Sequence, residues 1–111
     1  MKYASTLTVD DLSIDAHELV ALCAPRPVFI SAGSPFIEGQ WVDAKGMFLA
    51  GVHAGPVYEM LGVKGLETQE FPPLGKALAD GEIAFRQHAG GHSTGPNWST
   101  WISWAHKYWD K

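Results

Sequence analysis

The apolar positions of the chain form two short, nearly continuous runs, separated and flanked by segments with helical spacing. Residues 27–33 (PVFISAG) are the first run and residues 83–88 the second. The first run, closed by Gly33, is typical of a strand buried on both faces in a parallel sheet, and the second run predicts another strand. Apolar residues recur at near-helical spacing in residues 15–23, 43–61 and 98–109. The pattern therefore predicts an α/β protein with the order helix, strand, helix, strand, helix.

Polar and small residues mark the ends of these helices. Asp15, with Glu18 three positions later, has the pattern of a capping box. Asp43 is suited to cap the second helix. The Gly-Pro pair at residues 55–56 is expected to break or kink that helix and to begin its second part.

The remaining segments are less regular. Residues 1–14 are expected to be an irregular N-terminal end. Residues 63–80 are expected to form an irregular connection, either a tolerated surface insertion or a binding loop. The third helix carries an apolar stripe that we expect to lie mostly in the core: Trp98, Trp101, Ile102, Ala105, Tyr108 and Trp109.

Composition narrows the classes of function. The 111 residues allow one small domain or a piece of a larger one. A net charge of −4 without any basic run argues against nucleic acid as a partner. No apolar run reaches membrane-spanning length, and no signal peptide is visible at the N-terminus. Cys23 is the single cysteine, so we expect no internal disulfide, and the compartment is left open.

Residues 88–98 (HAGGHSTGPNW) join the second predicted strand to the third helix. Gly90 and Gly91 permit backbone angles that other residues resist, so they predict a sharp turn that pushes His92 outward. Such a turn can hold a catalytic imidazole at the rim of a sheet. The alternative is an ordinary turn that contains histidine.

The loop after the first predicted strand contains Glu38 and Trp41. A helical crossover between parallel strands would bring this loop and the His92 turn to one edge of the sheet, where α/β proteins bind ligands. A carboxylate that orients a histidine is two thirds of a Ser-His-acid triad. The alternative is a solvated Glu38 and a tryptophan that anchors the loop. The chain contains no G-x-S-x-G motif for the nucleophile.

A metal site built on His88 and His92 is a weaker hypothesis. Residues 89–91 are glycine-rich rather than helical, and the sequence offers no obvious third ligand. We therefore expect no metal and no cofactor.

Five segments together resemble one family. They are DAHELVAL (15–22), APRPV (24–28), EGQWVDAKG (38–46), GPVY (55–58) and FRQHAGGH (85–92). The chain resembles bacterial glucuronoyl esterases and acetyl-xylan-esterase-like proteins of the α/β-hydrolase fold. The resemblance covers residues 15–109. It implies that residues 15–111 are the C-terminal segment of an α/β-hydrolase domain whose nucleophile-bearing half is absent. It implies about two parallel strands with three helices in an incomplete sheet.

The resemblance also implies roles for individual residues. His92 matches the catalytic histidine, and Glu38 lies in the loop that holds the acid, with Asp43 as the local alternative. Trp41 resembles a tryptophan that lies against the uronate sugar. Arg86 and His88 are expected to support the turn. The serine, its oxyanion hole and most sugar-binding residues of the family precede this region.

By this resemblance, the chain is the C-terminal segment of a serine carboxylic-ester hydrolase acting on glucuronoyl or acetyl esters of plant cell-wall carbohydrates. It should be inactive alone, because a general base without a nucleophile forms no acyl-enzyme. An open apolar edge should then associate with the nucleophile-bearing half or with a second copy. The alternative is a noncatalytic module that binds carbohydrate or protein through its aromatic residues. Relatives are often secreted or periplasmic.

Overall fold

The computed structural model describes residues 6–37 and 39–109. Within these residues lie three α-helices and three strands: α1 (Ala16–Ala21), β1 (Val28–Ala32), α2 (Ala44–Met60), β2 (Ala77–Leu78), β3 (Ile83–Gln87) and α3 (Trp98–Trp109). Short 3₁₀ turns occur at Val9–Asp11, Gln40–Val42 and Gly95–Asn97. The predicted α/β class, with three helices and a small sheet, is confirmed.

The sheet has the strand order β1-β3-β2. The β1 and β3 strands are parallel, in a register that runs from Val28 opposite Ile83 to Ala32 opposite Gln87. The two-residue β2 pairs antiparallel with β3. It falls in the segment predicted to be irregular, because two residues are too few to show a period.

The outer edge of β1 has no partner strand in the described part of the chain. Along β1, the burial alternates between half-buried and buried positions, and Phe29 and Ser31 are half-buried. The prediction that this strand is buried on both faces is therefore wrong. Such burial occurs instead in β3, where Ile83, Ala84 and Phe85 are fully buried. An edge strand is covered on fewer sides than a central one, which explains the difference.

The sequence predicted that α2 is either broken or kinked at Gly55-Pro56, and the break is wrong, because the helix is continuous. It runs from Ala44 to Met60 with Pro56 inside it. Its inner face is buried at Phe48, Ala54 and Tyr58. Burial of this face stabilises the helix enough to compensate for the backbone hydrogen bond that is lost at proline.

Two side chains fasten the ends of the helices. The Tyr58 hydroxyl donates to the Arg26 carbonyl at 2.8 Å, which links the end of α2 to the approach to β1. Burial raises the pKa of Tyr58 above its ordinary value. Asp15 caps α1, but its carboxylate accepts from the Ala16 amide at 2.7 Å rather than completing the predicted capping box.

The core lies on both faces of the sheet. On one face, the buried Phe48 and Phe85 contact each other and the partly exposed Phe71, with ring centroids 5.3–5.8 Å apart. On the other face, Trp104 packs against Phe29, with ring centroids 5.5 Å apart. No helix within residues 6–37 and 39–109 is long and apolar enough to cross a membrane.

The predicted burial of the α3 tryptophans is largely wrong. Trp98 and Trp109 are 50% and 61% exposed. The buried tryptophan is Trp104, which lay outside the predicted stripe and whose indole donates to the Gly81 carbonyl at 3.0 Å. The side of α3 that packs on the sheet is formed by Trp104 and Ala105, with Tyr108 at its margin.

Candidate active site

The loops that follow β1 and β3 lie at the same edge of the sheet and are bonded to each other. The Ser34 amide donates to the Gly90 carbonyl at 2.8 Å. The buried Gln87 side chain donates to the Gly33 carbonyl at 2.9 Å. Because both bonds join the start of one loop to the other segment, the two loops are held as one unit.

His92 is exposed at this edge, and its ring lies beside Trp41. The two ring centroids are 5.2 Å apart, with planes inclined by 46°. His92 also lines an open cavity of about 350 Å³ above the carboxyl end of β1, together with Gly33, Val42, Met47 and Thr94. An imidazole in this position has access to a ligand or to another protein group.

Glu38, the predicted acid, lies outside the described residues. The described residues on either side of it contact the His92 turn. A methyl group at position 91 would come within 3.2 Å of Ile37 Cγ2, so Ile37 lies directly against Gly91. On the C-terminal side of position 38, Trp41 contacts His92.

Asp43, the alternative acid, is the N-cap of α2. Its carboxylate accepts from the Gly46 amide at 3.1 Å, and its backbone lies in the left-handed region with φ of 53°. The sequence predicted this capping role. The Asp43 carboxylate therefore caps the N-terminus of α2.

The conformational reason proposed for Gly90 and Gly91 is wrong. Among the described glycines, positive φ angles occur at Gly39, Gly62 and Gly75, and not in the His92 turn. The turn instead needs the space that a missing side chain leaves. A Cβ atom at position 90 would lie 3.2 Å from His88 Nδ1, and one at position 91 would meet Ile37.

His88 is buried beneath the turn, with 1% of its surface exposed. The Gly90 amide donates to its Nδ1 at 2.9 Å, and its Nε2 lies 2.6 Å from the Ser93 carbonyl oxygen. Both ring nitrogens are thus engaged by the backbone. Across the described ranges, no group of three or more His, Cys, Asp or Glu side chains could hold a metal ion.

Arg86 and Asn97 fix the far end of the turn. The Arg86 guanidinium donates to the Pro96 carbonyl at 2.8 Å and to Asn97 Oδ1 at 2.7 Å. The buried Asn97 amide donates to Ser31 Oγ at 2.6 Å, which ties the start of α3 to β1. Neither Gln87 nor Asn97 was predicted from the sequence, because a single polar residue beside a turn gives no periodic signal.

Comparison with known proteins identifies the group to which this geometry belongs. No protein-family model matches the chain. Carbohydrate esterase MZ0003, from an unknown prokaryotic organism, is 41% identical over 97 residues, which are 86% of this chain and 22% of that relative. A CE15 glucuronoyl esterase from Teredinibacter turnerae T7901 superimposes with a TM-score of 0.89 at 50% identity, over 97% of this chain and 25% of that one. The chain corresponds to the C-terminal segment of an α/β-hydrolase-fold carbohydrate esterase.

A second solved structure is similar to this chain over nearly its whole length. A promiscuous CE15 esterase from a marine bacterial metagenome has a TM-score of 0.81 at 37% identity, over 95% of this chain and 25% of that chain. The chain spans between 22% and 25% of the length of these relatives. The resemblance and the α/β-hydrolase fold predicted from the sequence are both confirmed.

Proposed function

We propose that the chain supplies the catalytic histidine and the triad acid of a serine carboxylic-ester hydrolase. The substrates proposed are glucuronoyl or acetyl esters of plant cell-wall carbohydrates. The observation that carries this proposal is the exposed His92 ring, beside Trp41 and an open cavity at the carboxyl end of the parallel strands. The names of the similar proteins, which include a glucuronoyl esterase and a carbohydrate esterase, support the substrate class.

In the proposed reaction, His92 takes the proton of a serine hydroxyl as the serine oxygen attacks the ester carbonyl. The imidazolium then gives that proton to the departing alcohol oxygen as the ester C–O bond breaks. Water repeats the sequence on the acyl-enzyme: His92 accepts a water proton and returns a proton to the serine. The water oxygen bonds to the acyl carbon, the acyl–serine C–O bond breaks and the carboxylic acid product leaves. His92 and the serine are thereby restored, and the cycle consumes one water per ester.

We assign the triad acid to Glu38. The support is that described residues before and after position 38 contact the His92 turn: Ile37 contacts Gly91, and Trp41 contacts His92. Asp43 is engaged with the Gly46 amide. A carboxylate that accepts from one imidazole nitrogen leaves the other nitrogen as the base and stabilises the imidazolium.

We assign Trp41 to the sugar next to the ester. Its side chain is 71% exposed, and its indole lies beside His92. A flat apolar ring at this distance can cover the apolar face of a sugar while its ester carbonyl is attacked.

The nucleophile-bearing half of the esterase is the partner that we propose for the free edge of β1. The cavity above β1 is partly open to solvent and is lined by the end of β1, by Val42 and Met47, and by residues 92–94 of the His92 turn. The relatives contain about three quarters of their length outside the matching region. Without that half, the same edge is free to pair with a second copy of the chain.

A chimera tests the proposal. The matching quarter of the Teredinibacter turnerae esterase is replaced by this chain, and hydrolysis of a glucuronoyl ester and an acetyl ester is measured. We expect hydrolysis by the chimera and none by the isolated chain, because the general base then has its nucleophile. In sedimentation velocity, the isolated chain should self-associate and the chimera should not. A folded chimera without esterase activity would contradict the proposal, and so would turnover by the isolated chain.

Replacing Trp41 with alanine in the chimera tests its role. We expect KM for the glucuronoyl ester to rise about tenfold, which corresponds to about 1.4 kcal/mol of lost aromatic contact. Trp109→Ala is the matched control, because Trp109 is similarly exposed at the far end of α3. An unchanged KM in Trp41→Ala, or an equal rise in the control, would exclude the assignment.

One observation favours a second candidate function, a noncatalytic module that binds carbohydrate or protein. On α3, the exposed Trp98 and Trp109 both contact the half-buried Trp101, with ring centroids 5.2 Å and 5.5 Å apart. In that case, the isolated chain should bind xylan or another polymer, and His92→Ala should leave the binding unchanged. The chimera assay distinguishes the two functions, because a binding module has no use for a proton carrier.

A further inference from the structure

We propose that His88 is a positioning residue for His92, acting through one tautomer of its imidazole. The inference rests on the proposed function, since it concerns the orientation of the base in that reaction. His88 is buried at 1% exposure, whereas His92 is exposed, so only His92 can reach a substrate. The contribution of His88 therefore passes through the backbone of the turn.

The hydrogen bonds determine where the proton of the His88 ring lies. The Gly90 amide donates to Nδ1 at 2.9 Å, so Nδ1 carries a lone pair. A neutral imidazole then has its proton on Nε2. That nitrogen lies 2.6 Å from the Ser93 carbonyl oxygen and donates to it. The ring of His88 has one acceptor and one donor, and the backbone of the turn binds both of them.

The two bonds lie on either side of His92 in the chain. Only Gly91 and His92 separate the residue bonded to Nδ1 from the residue bonded to Nε2. Within this short span, the Ser93 amide also donates to the Gly91 carbonyl at 2.8 Å. The Cα of His92 is therefore held between two points fixed to one buried ring, and its side chain projects toward Trp41.

The packing around the ring restricts which residue can serve here. Gly90 lies so close that a Cβ atom would be 3.2 Å from Nδ1 and 3.3 Å from Cε1 of the ring. Phenylalanine could fill the volume of His88 but would leave the Gly90 amide and the Ser93 carbonyl without their partner. Asparagine can replace only the acceptor at Nδ1, and glutamine only the donor at Nε2. Histidine supplies both groups at once.

Nuclear magnetic resonance on the isolated chain tests the inference without any catalytic readout. The ¹⁵N shifts of His88 should be those of a protonated Nε2 and an unprotonated Nδ1. In the unmodified chain, nuclear Overhauser effects should connect the rings of Trp41 and His92. His88→Phe should abolish them at unchanged circular dichroism, and the exposed control His53→Phe should keep them. The Nδ1–H tautomer, or full retention of the effects in His88→Phe, would overturn the proposal.

A second pair of variants covers the case in which His88→Phe does not fold. His88→Asn keeps the acceptor for Gly90, and His88→Gln keeps the donor for Ser93. Each should retain its own backbone bond, seen in the amide shift of Gly90 or the carbonyl shift of Ser93, and should weaken the Trp41–His92 contact. Undiminished contact in both variants would contradict the proposal.

The chimera adds a kinetic readout that loss of stability alone would not produce. His88→Phe should lower kcat on the order of 10²-fold, with KM nearly unchanged, because a small displacement of the base affects the chemical step more than binding. His53→Phe should leave both constants unchanged. If no chimera hydrolyses esters, the proposed function fails, and the resonance measurements on the chain still decide the role of His88.

Discussion

His92→Ala in the chimera is expected to lower kcat by at least about 10⁴-fold, while KM stays nearly unchanged. The imidazole acts only as the proton moves, so its loss removes stabilisation of the transition state and not of the bound ester. Since His92 is exposed, the substitution leaves no cavity in the core, and the unfolding curve should not shift.

The control for this variant is His53→Ala, because His53 is also an exposed histidine but lies on α2. Both variants are compared in kcat, KM and thermal unfolding on the same glucuronoyl ester. A His92→Ala chimera that keeps a tenth of its activity would refute the proton-transfer role. Equal losses in the two variants would point to a general effect of removing a surface histidine.

Glu38→Gln in the chimera is expected to lower kcat on the order of 10³- to 10⁴-fold. The amide has nearly the shape of the carboxylate, but it carries no charge to stabilise the imidazolium and can hold the wrong tautomer. Michaelis–Menten kinetics at a fixed pH, with the His92→Ala variant as a reference, measure the loss. The double variant should be little slower than His92→Ala alone, since the acid acts through the histidine.

Asp43→Asn is the matched control, because it removes a carboxylate five residues further along the same loop. The Asp43 carboxylate caps α2 through the Gly46 amide, and asparagine is also a good capping residue. We therefore expect kcat to stay within about twofold and stability to change by less than about 1 kcal/mol. A large loss of kcat in Asp43→Asn with none in Glu38→Gln would assign the acid to Asp43.

The sequence was sufficient to predict the parallel pair of strands and the edge at which the two loops meet. The apolar runs that became β1 and β3 have a length that helices seldom show, and a crossover helix between them leaves one arrangement of their ends. The cap at Asp43 was also predictable, since capping is a local property. These features depend on short stretches of chain.

Features that depend on packing between distant elements could not be predicted. The continuity of α2 through Pro56 follows from burial of Phe48 and Tyr58, which no local rule includes. Trp104 is buried while Trp98 and Trp109 are exposed, because the rotation of α3 on the sheet decides which side is buried. At the candidate site, the sequence suggested support of the turn by His88, but the two bonds of its ring require coordinates.

The bonds from Ser34 to Gly90 and from Gln87 to Gly33 have a consequence for how such esterases can be recombined. A gene crossover placed before β1 transfers both loops together, with their mutual geometry intact. A crossover between α2 and β3 instead combines the loop after β1 from one parent with the His92 turn of another. Libraries of hybrid esterases should therefore retain function far more often at the first kind of breakpoint than at the second.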